Sequence, residues 1–214
     1  MKVFHTTSLS ERDFNWILGV LDQGGVIGYP TDTAYGLGAD PFNVSAVERI
    51  FRVKERPETK PVLLLVNSIS MVERIAQPSD VFRTVAERYW PGPLTLVLPA
   101  QPVVSGLVTA GTGTIGVRWP VAPFAMRLIE ARQCPLTGTS ANKSGSPSPV
   151  TADEVSEQLG ETIDLLVDGG ELPFRSGSTL LDISSDPPVL LREGPVRLES
   201  LREFFDGRIR VEHE

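Results

Sequence analysis

Helical and strand patterns alternate along the whole of this chain, and no segment repeats. Apolar residues recur at helical spacing in segments such as 10–23 and 45–53. Short apolar runs lie between such segments, and the run at 62–66 is typical of a strand that is buried on both faces. This alternation predicts an α/β fold.

The pattern also predicts how the strands are arranged. The connections 101–113 and 169–177 are too short for a crossover helix, so some neighbouring strands should be antiparallel. At 214 residues, without a low-complexity linker, the chain favours one domain. We therefore expect a single α/β domain in which helices flank a twisted, mixed β-sheet. Further helices are predicted at 70–76, 79–89, 121–132, 152–159 and 198–205, and further strands at 26–29, 94–98, 115–118, 136–139, 165–168, 179–183 and 189–192.

Few side chains suit covalent or metal chemistry. Cys134 is the one cysteine, which excludes an intramolecular disulfide and favours a reducing cytoplasm, and its apolar neighbours predict an inert thiol. The two histidines, His5 and His213, lie at opposite ends of the chain, too sparse for a zinc cluster or a catalytic triad. An enzyme of this composition would use cations, hydroxyls and a metal brought by its substrate, which points to phosphoryl or nucleotidyl transfer.

Charge and hydropathy limit the partners. No stretch approaches the roughly 20 apolar residues of a membrane span, and the N-terminus has no signal-peptide core, so we expect no membrane association. The net charge of −7 argues against a broad nucleic-acid surface, although it allows a local basic patch.

The first candidate site is basic. Lys54, Arg56 and Lys60 fall within seven residues, and such a run is more often a solvated face than a binding site. However, Pro57 and Pro61 stiffen the loop between a helix end and a strand, where a preorganised clamp for phosphate could stand. The sequence leaves both interpretations open.

Two further candidate segments are polar loops that follow strands. The segment 139–146 is rich in Ser, Asn and Gly, whose small side chains let backbone amides approach an anion, but the same residues suit any turn. The segment 30–38 offers Thr31 and Thr33 either to a small polar ligand or to a tight turn. Neither is a phosphate-binding Walker loop or a dinucleotide fingerprint.

At these segments the chain resembles the threonylcarbamoyl-AMP synthase family, the YrdC-like domain proteins that act in tRNA modification. The motifs that carry the resemblance are GVIGYPTDTAYGL at 25–37, KERP at 54–57 with KP at 60–61, WPGPLT at 90–95, VRWP at 117–120, SAN at 140–142, ST at 178–179 and LREG at 191–194. They follow in the family's order over roughly residues 10–200. The resemblance implies the single-domain form, without the C-terminal domain of longer members.

The resemblance implies an L-threonylcarbamoyladenylate synthase, which is a nucleotidyltransferase. It condenses L-threonine, bicarbonate and ATP to threonylcarbamoyl-AMP and pyrophosphate, with Mg²⁺ carried by ATP and no metal ligands from protein side chains. The product serves the threonylcarbamoyl-adenosine modification of tRNA, which implies a contact with tRNA and with proteins of that pathway. A paralogue with another acyl acceptor, or an RNA-binding module, is the alternative, and the net charge of −7 disfavours the RNA-binding module.

The resemblance also implies residue roles. The catalytic set is Lys54, Arg56, Ser140 and Asn142; the ATP-binding set is Arg56, Lys60, Thr114, Ser140, Ser148 and Arg192; the threonine-binding set is Thr33, Arg118 and Ser178. Many members have a histidine that helps to bind threonine where this chain has Leu65. Because leucine neither donates nor accepts a hydrogen bond, we expect threonine to bind more weakly or less selectively here.

Overall fold

The computed structural model describes residues 1–173 and 177–212, so His213 lies outside the described residues. The α-helices of these ranges are α1 (Glu11–Asp22), α2 (Val44–Lys54), α3 (Ile69–Ile75), α4 (Asp80–Tyr89), α5 (Gly106–Thr109), α6 (Pro123–Arg132), α7 (Ala152–Leu159) and α8 (Leu198–Phe204). Within the same ranges, no helix is long and apolar enough to cross a membrane.

Polar side chains immediately before the helices explain where several of them begin. Ser10 and Asp13 form a capping box at the start of α1, and the Asn43 side chain accepts a hydrogen bond from Ala46 N at the start of α2. Ser79 and Thr151 cap α4 and α7 in the same way. The helices predicted from the sequence are confirmed, each with ends within two residues; the short α5 was not predicted.

The strands form two mixed sheets, whereas a single mixed sheet was predicted. They are β1 (Lys2–His5), β2 (Ile27–Tyr29), β3 (Gly36–Gly38), β4 (Leu64–Leu65), β5 (Leu94–Pro99), β6 (Thr114–Arg118), β7 (Leu136–Thr137), β8 (Thr139–Ser140), β9 (Leu165–Asp168), β10 (Thr179–Asp182), β11 (Val189–Arg192) and β12 (Arg210–Val211). The five-stranded sheet has the order β1-β9-β2-β3-β8, and the seven-stranded sheet has the order β12-β11-β10-β5-β6-β4-β7.

The prediction that short connections join antiparallel neighbouring strands is confirmed for one of the two connections. β5 and β6, joined by 101–113, are antiparallel as predicted. The segment 169–177 was also expected to join neighbouring strands, but β9 and β10 lie in different sheets. Both sheets contain parallel and antiparallel pairs, so the mixed α/β character is confirmed.

Three predicted segments differ from the structure. The predicted strand 136–139 is two short strands in different sheets, with Gly138 between them. Gly36–Gly38, predicted as part of a turn, forms β3. The run 62–66 forms a strand over Leu64–Leu65 alone; both residues are buried, as predicted, although Leu65 also lines a cavity.

The position of Gly138 has a consequence for the site. The chain passes here from β7, an edge of the seven-stranded sheet, to β8, an edge of the five-stranded sheet. The cavity lies at this junction, since residues of β3, β8, β4, β6 and β10 all line it. Both sheets therefore supply residues to the wall of the cavity.

Candidate active site

A cavity of about 760 Å³ lies at the junction of the two sheets. Its volume is in the range of sites that hold nucleotides and drug-sized ligands. Every residue of the predicted site set lines it except Lys54 and Asn142; those that do are Thr33, Arg56, Lys60, Thr114, Arg118, Ser140, Ser148, Ser178 and Arg192. Residues far apart in the sequence thus meet on one surface.

One part of the wall is cationic and lacks carboxylate partners. Within the described ranges, no ion pair joins Arg56, Lys60 or Arg192 to an acidic side chain. Backbone carbonyls orient the guanidinium groups: Arg56 Nη2 donates to Pro61 O at 2.8 Å, and Arg192 Nη2 donates to Ser178 O at 2.7 Å. Two acidic residues, Asp182 and Glu212, also line the cavity, but without an ion pair to these cations among the described residues, the cations can attract a polyanion.

Burial changes the ionisation of these cations. Loss of solvent lowers the pKa of Arg56. Loss of solvent, followed by repulsion from Arg118, lowers the pKa of Arg192. Both groups stay charged at neutral pH, because an arginine pKa begins far above that range. A bound anion would relieve the repulsion between Arg192 and Arg118.

Arg118 also lines the cavity and is 3% exposed. Its Nε donates to Gly92 O at 3.0 Å, Nη1 donates to Thr33 Oγ1 at 3.0 Å, and Nη2 donates to the Asp32 carboxylate. The second Asp32 oxygen accepts from Val121 N at 3.2 Å. These contacts use three of the five N–H groups of the guanidinium, so donors are left for a carboxylate in the cavity.

Hydroxyl groups lie beside Arg118. Thr33 and Ser178 are both buried and both line the cavity. The Ser178 hydroxyl lies 2.6 Å from the Thr95 hydroxyl, and the Thr33 hydroxyl lies 3.2 Å from that of Thr31. The part of the cavity around Arg118 can therefore bind a small ligand that carries a carboxylate and a hydroxyl.

Lys54 and Asn142 lie behind the wall. Lys54 Nζ donates to Ser140 O, to Asn142 O at 2.7 Å and to Asn142 Oδ1 at 3.4 Å. The basic segment and the 139–146 loop therefore meet at Lys54 and Asn142. Their side chains face each other, whereas Arg56 and Ser140 face the cavity.

Leu65 also lines the cavity, next to Arg118. β4 and β6 are parallel, with Leu65 in register with Arg118. A Cβ on Gly138 would lie 2.7 Å from Leu65 Cγ, so this glycine makes room for the leucine side chain. Leu65 thus borders the ligand space, although it is only 1% exposed.

Several residues of the site were missed by sequence reasoning. Asp32 holds Arg118, and Thr95 contacts Ser178. Tyr35 lines the cavity, and its hydroxyl donates to Gly170 O at 2.7 Å. Asp32 stood inside the TDT sequence between two noted threonines, and that position was the available signal.

The arrangement has a clear chemical capacity. Arg56, Lys60, Arg192 and Arg118 line the cavity together with the hydroxyls of Thr33 and Ser178, so the cavity can hold two anions. Apolar side chains, Val97, Leu180 and Leu191, also line it and can contact a planar ring. Within the described residues, no group of three or more His, Cys, Asp and Glu side chains could hold a metal ion.

The chain matches a known protein family over most of its length. The family model Sua5/YciO/YrdC, described as "Telomere recombination", matches residues 19–194. A threonylcarbamoyl-AMP synthase of Pyrococcus abyssi is 40% identical over 210 residues, which are 95% of this chain and 61% of that protein. One from Bacillus subtilis is 40% identical over 195 residues, which are 90% of this chain and 56% of that protein.

A solved structure extends the comparison to the fold. The crystal structure of P. abyssi Sua5 complexed with L-threonine is 37% identical and has a TM-score of 0.91, covering 99% of this chain and 62% of that chain. The chain thus spans about three-fifths of the length of these relatives. Both the sequence match and the shared fold extend over most of this chain, and it belongs to the Sua5/YciO/YrdC family.

Proposed function

We propose that this chain is an L-threonylcarbamoyladenylate synthase, which condenses L-threonine, bicarbonate and ATP to threonylcarbamoyl-AMP and pyrophosphate. The observation that carries the proposal is a single cavity lined by four cationic side chains, Arg56, Lys60, Arg192 and Arg118. A triphosphate and an amino-acid carboxylate both need such partners. The names of the Pyrococcus and Bacillus relatives support the same reaction.

ATP would bind along the cationic part of the wall. Arg56, Lys60 and Arg192 would neutralise phosphate charge, and the hydroxyls of Ser140 and Ser148 would orient phosphate oxygens. Thr114, in β6 on the same wall, would also contact the nucleotide.

Threonine would bind beside Arg118. The free N–H groups of Arg118 would pair with the amino-acid carboxylate. Thr33 and Ser178 would form hydrogen bonds with polar atoms of the ligand, while Leu65 would contact it without a hydrogen bond. A threonine complex is known for the P. abyssi relative, which shares these elements of fold.

The chemistry needs positioning more than a strong acid or base. The amino group of threonine and bicarbonate form a carbamate with loss of water, and a carbamate oxygen attacks the α-phosphate of ATP while pyrophosphate leaves. Two anions must therefore approach each other against their repulsion. The cations lower this repulsion. The cavity would also hold the two reactants in the geometry that the reaction needs, which lowers the entropic part of the barrier.

We propose that Mg²⁺ arrives with ATP. Magnesium binds phosphate oxygens and keeps several waters, so it needs few ligands from the protein. When bound, it would neutralise charge on the triphosphate and on the leaving pyrophosphate.

The remaining partners are also part of the proposal. The adenylate would pass to the threonylcarbamoyl-adenosine modification of tRNA, through a contact with tRNA and with proteins of that pathway. We place the reaction in the cytoplasm, because ATP, threonine and tRNA are available there.

The proposal is tested by product analysis. Purified protein is incubated with ATP, bicarbonate and a mixture of amino acids, and the products are identified by mass spectrometry. We expect threonylcarbamoyl-AMP, with pyrophosphate release that requires all three substrates. A carbamoyl adenylate of another amino acid would show a different acyl acceptor. RNA binding without turnover would support the RNA-binding module and overturn the synthase.

A further inference from the structure

We propose that Lys54 is a positioning residue: its ammonium group holds the segment 140–146 in the conformation that presents Ser140 to the cavity, and it makes no contact with the nucleotide. The inference rests on the proposed function, since it assigns a role within that site. It differs from the sequence-based interpretation in which Lys54 forms part of a clamp for phosphate.

Lys54 lies inside the protein. It is the last residue of α2 and is 1% exposed. Ala46, Ile50 and Lys54 recur every four residues along α2 and are all buried, so the lysine continues the interior face of the helix. It is not among the residues that line the cavity.

The hydrogen-bonding capacity of Lys54 is used within the protein. An ammonium group has three N–H donors and no acceptor. Lys54 Nζ contacts three oxygens of the segment, namely Ser140 O, Asn142 O at 2.7 Å and Asn142 Oδ1 at 3.4 Å. A buried ammonium must keep such partners to be stable. No donor is left for a phosphate oxygen.

The segment is held to Lys54 at a second point as well. The backbone carbonyl of Lys54 accepts a hydrogen bond from Ser144 N at 2.8 Å. Ala141 N donates to Tyr35 O at 2.7 Å, which fixes the start of the segment. Removal of the ammonium would therefore loosen the middle of a segment whose start is attached elsewhere.

The Asn142 side chain links Lys54 by hydrogen bonds to other residues of the segment. Its Oδ1 accepts from both Lys54 and Ser140 Oγ, and its Nδ2 donates to Lys143 O at 2.9 Å and Ser146 O at 2.7 Å. The result is a continuous set of hydrogen bonds from α2 to the hydroxyl of Ser140. Lys54 thus acts on the site through Asn142 and Ser140.

The neighbouring cation takes the other role. Arg56 follows Lys54 by two residues and lines the cavity, where no acidic side chain of the described ranges pairs with it. In the Lys-x-Arg motif, Lys54 would hold the segment 140–146 from the interior, and Arg56, which is half-buried, would bind phosphate in the cavity. The two residues should respond differently to substitution.

The first measurement is amide hydrogen exchange in Lys54→Met, which keeps the side-chain length and removes the donors. We expect Ser144, in the middle of the segment, to exchange at least about tenfold faster than in the wild type, while Val117 in β6 is unchanged. Lys143→Ala is the matched control, because this exposed lysine of the same segment pairs with Glu55 on the surface. It should leave the exchange at Ser144 unchanged.

The second measurement is the affinity for inorganic pyrophosphate. We expect Lys54→Met to weaken binding less than about threefold and Arg56→Ala to weaken it at least about tenfold. In the synthase assay, Lys54→Met should lower kcat with the KM for ATP nearly unchanged. If Lys54→Met weakens pyrophosphate binding as much as Arg56→Ala without faster exchange in the segment, Lys54 is a phosphate ligand and the inference is wrong.

A third measurement does not depend on the folding of a variant. In a crystal structure of the wild type with pyrophosphate bound, Lys54 Nζ should keep its contacts with Ser140 and Asn142 and lie more than about 3.5 Å from any phosphate oxygen. A shorter distance would overturn the inference. The exchange and binding measurements need no turnover, so the absence of synthase activity would overturn the proposed function alone.

Discussion

Asp32 and Arg118 form an ion pair at the wall of the cavity, between the loop that follows β2 and the end of β6. The side chains are 15% and 4% exposed, respectively, so both charges are largely removed from water. Asp32 also accepts a hydrogen bond from Val121 N, which fixes its orientation. The carboxylate therefore sets where the remaining donors of Arg118 point.

This pair gives the first prediction. Asp32→Asn should lower the free energy of unfolding by about 3 kcal/mol, because it leaves a buried guanidinium without its counter-charge. It should also raise the KM for threonine. Chemical denaturation and steady-state kinetics measure the two effects. Glu73→Gln is the control, since the pair with Arg83 is exposed and its loss should cost less than about 1 kcal/mol. Equal losses in both variants would contradict the structural role of Asp32.

The second prediction concerns the unpaired cations. Arg56→Ala should slow pyrophosphate release at least about tenfold, which corresponds to about 1.4 kcal/mol of transition-state stabilisation, without a change in thermal stability. Lys60→Ala should act in the same direction. Arg52→Ala, an exposed cation in the last turn of α2, should have no effect on the rate. Unchanged kinetics for Arg56→Ala would mean that the basic segment is a solvated face.

The third prediction concerns pH. Burial, together with the nearby Arg56 guanidinium, lowers the pKa of Lys54 to about 7. Above this pH the neutral amine has two donors for three acceptors, so its hold on the segment 140–146 weakens. We expect the rate advantage of the wild type over Lys54→Met to shrink as the pH rises from about 6 to about 9. Ionisation of the substrates affects both rates equally at each pH, so it cancels in the ratio of the wild-type rate to the rate of Lys54→Met.

The contribution of Lys54 to the free energy of unfolding should rise with pH over much of this range, whereas the rate advantage of the wild type should fall. The pKa of Lys54 is lower in the folded chain than its ordinary value of 10.5, so between about 7 and 10.5 the unfolded chain binds more protons. The contribution of this group to the free energy of unfolding therefore rises with pH over that interval. Denaturation of the wild type and Lys54→Met at several pH values should show a rise that the variant lacks. Parallel curves would show that the pKa of Lys54 is close to normal.

Sequence reasoning predicted the helices well because their signals are local. Ser10 and Asn43 stand before helical apolar patterns, and their side chains cap α1 and α2. The two-sheet arrangement could not be predicted in this way, because the pairing of strands depends on contacts between distant segments. Gly138 illustrates this limit: one residue separates two strands that belong to different sheets, and no periodicity marks such a change.

The candidate site was predicted residue by residue only where motifs resembled a family. The convergence of these motifs on one cavity depends on the tertiary fold, and so does the burial of Lys54. A signal for that burial was present, since Ala46, Ile50 and Lys54 lie four residues apart on α2. A terminal lysine on a helix is ordinarily solvated, however, and the basic composition of the segment concealed the interior position.

The last prediction concerns Leu65, which is adjacent to Arg118 in the paired strands β4 and β6 and lines the cavity. Leu65→His should tighten threonine binding about threefold to tenfold, because one hydrogen bond contributes about 0.5–1.5 kcal/mol. Leu63→His is the matched control: this residue lines the same cavity two positions earlier and is not in register with Arg118, so threonine binding should not tighten. Calorimetry with threonine and with serine measures both variants. If Leu65→His leaves threonine affinity unchanged or weaker, another residue supplies the polar contact, and the leucine is not what limits threonine binding.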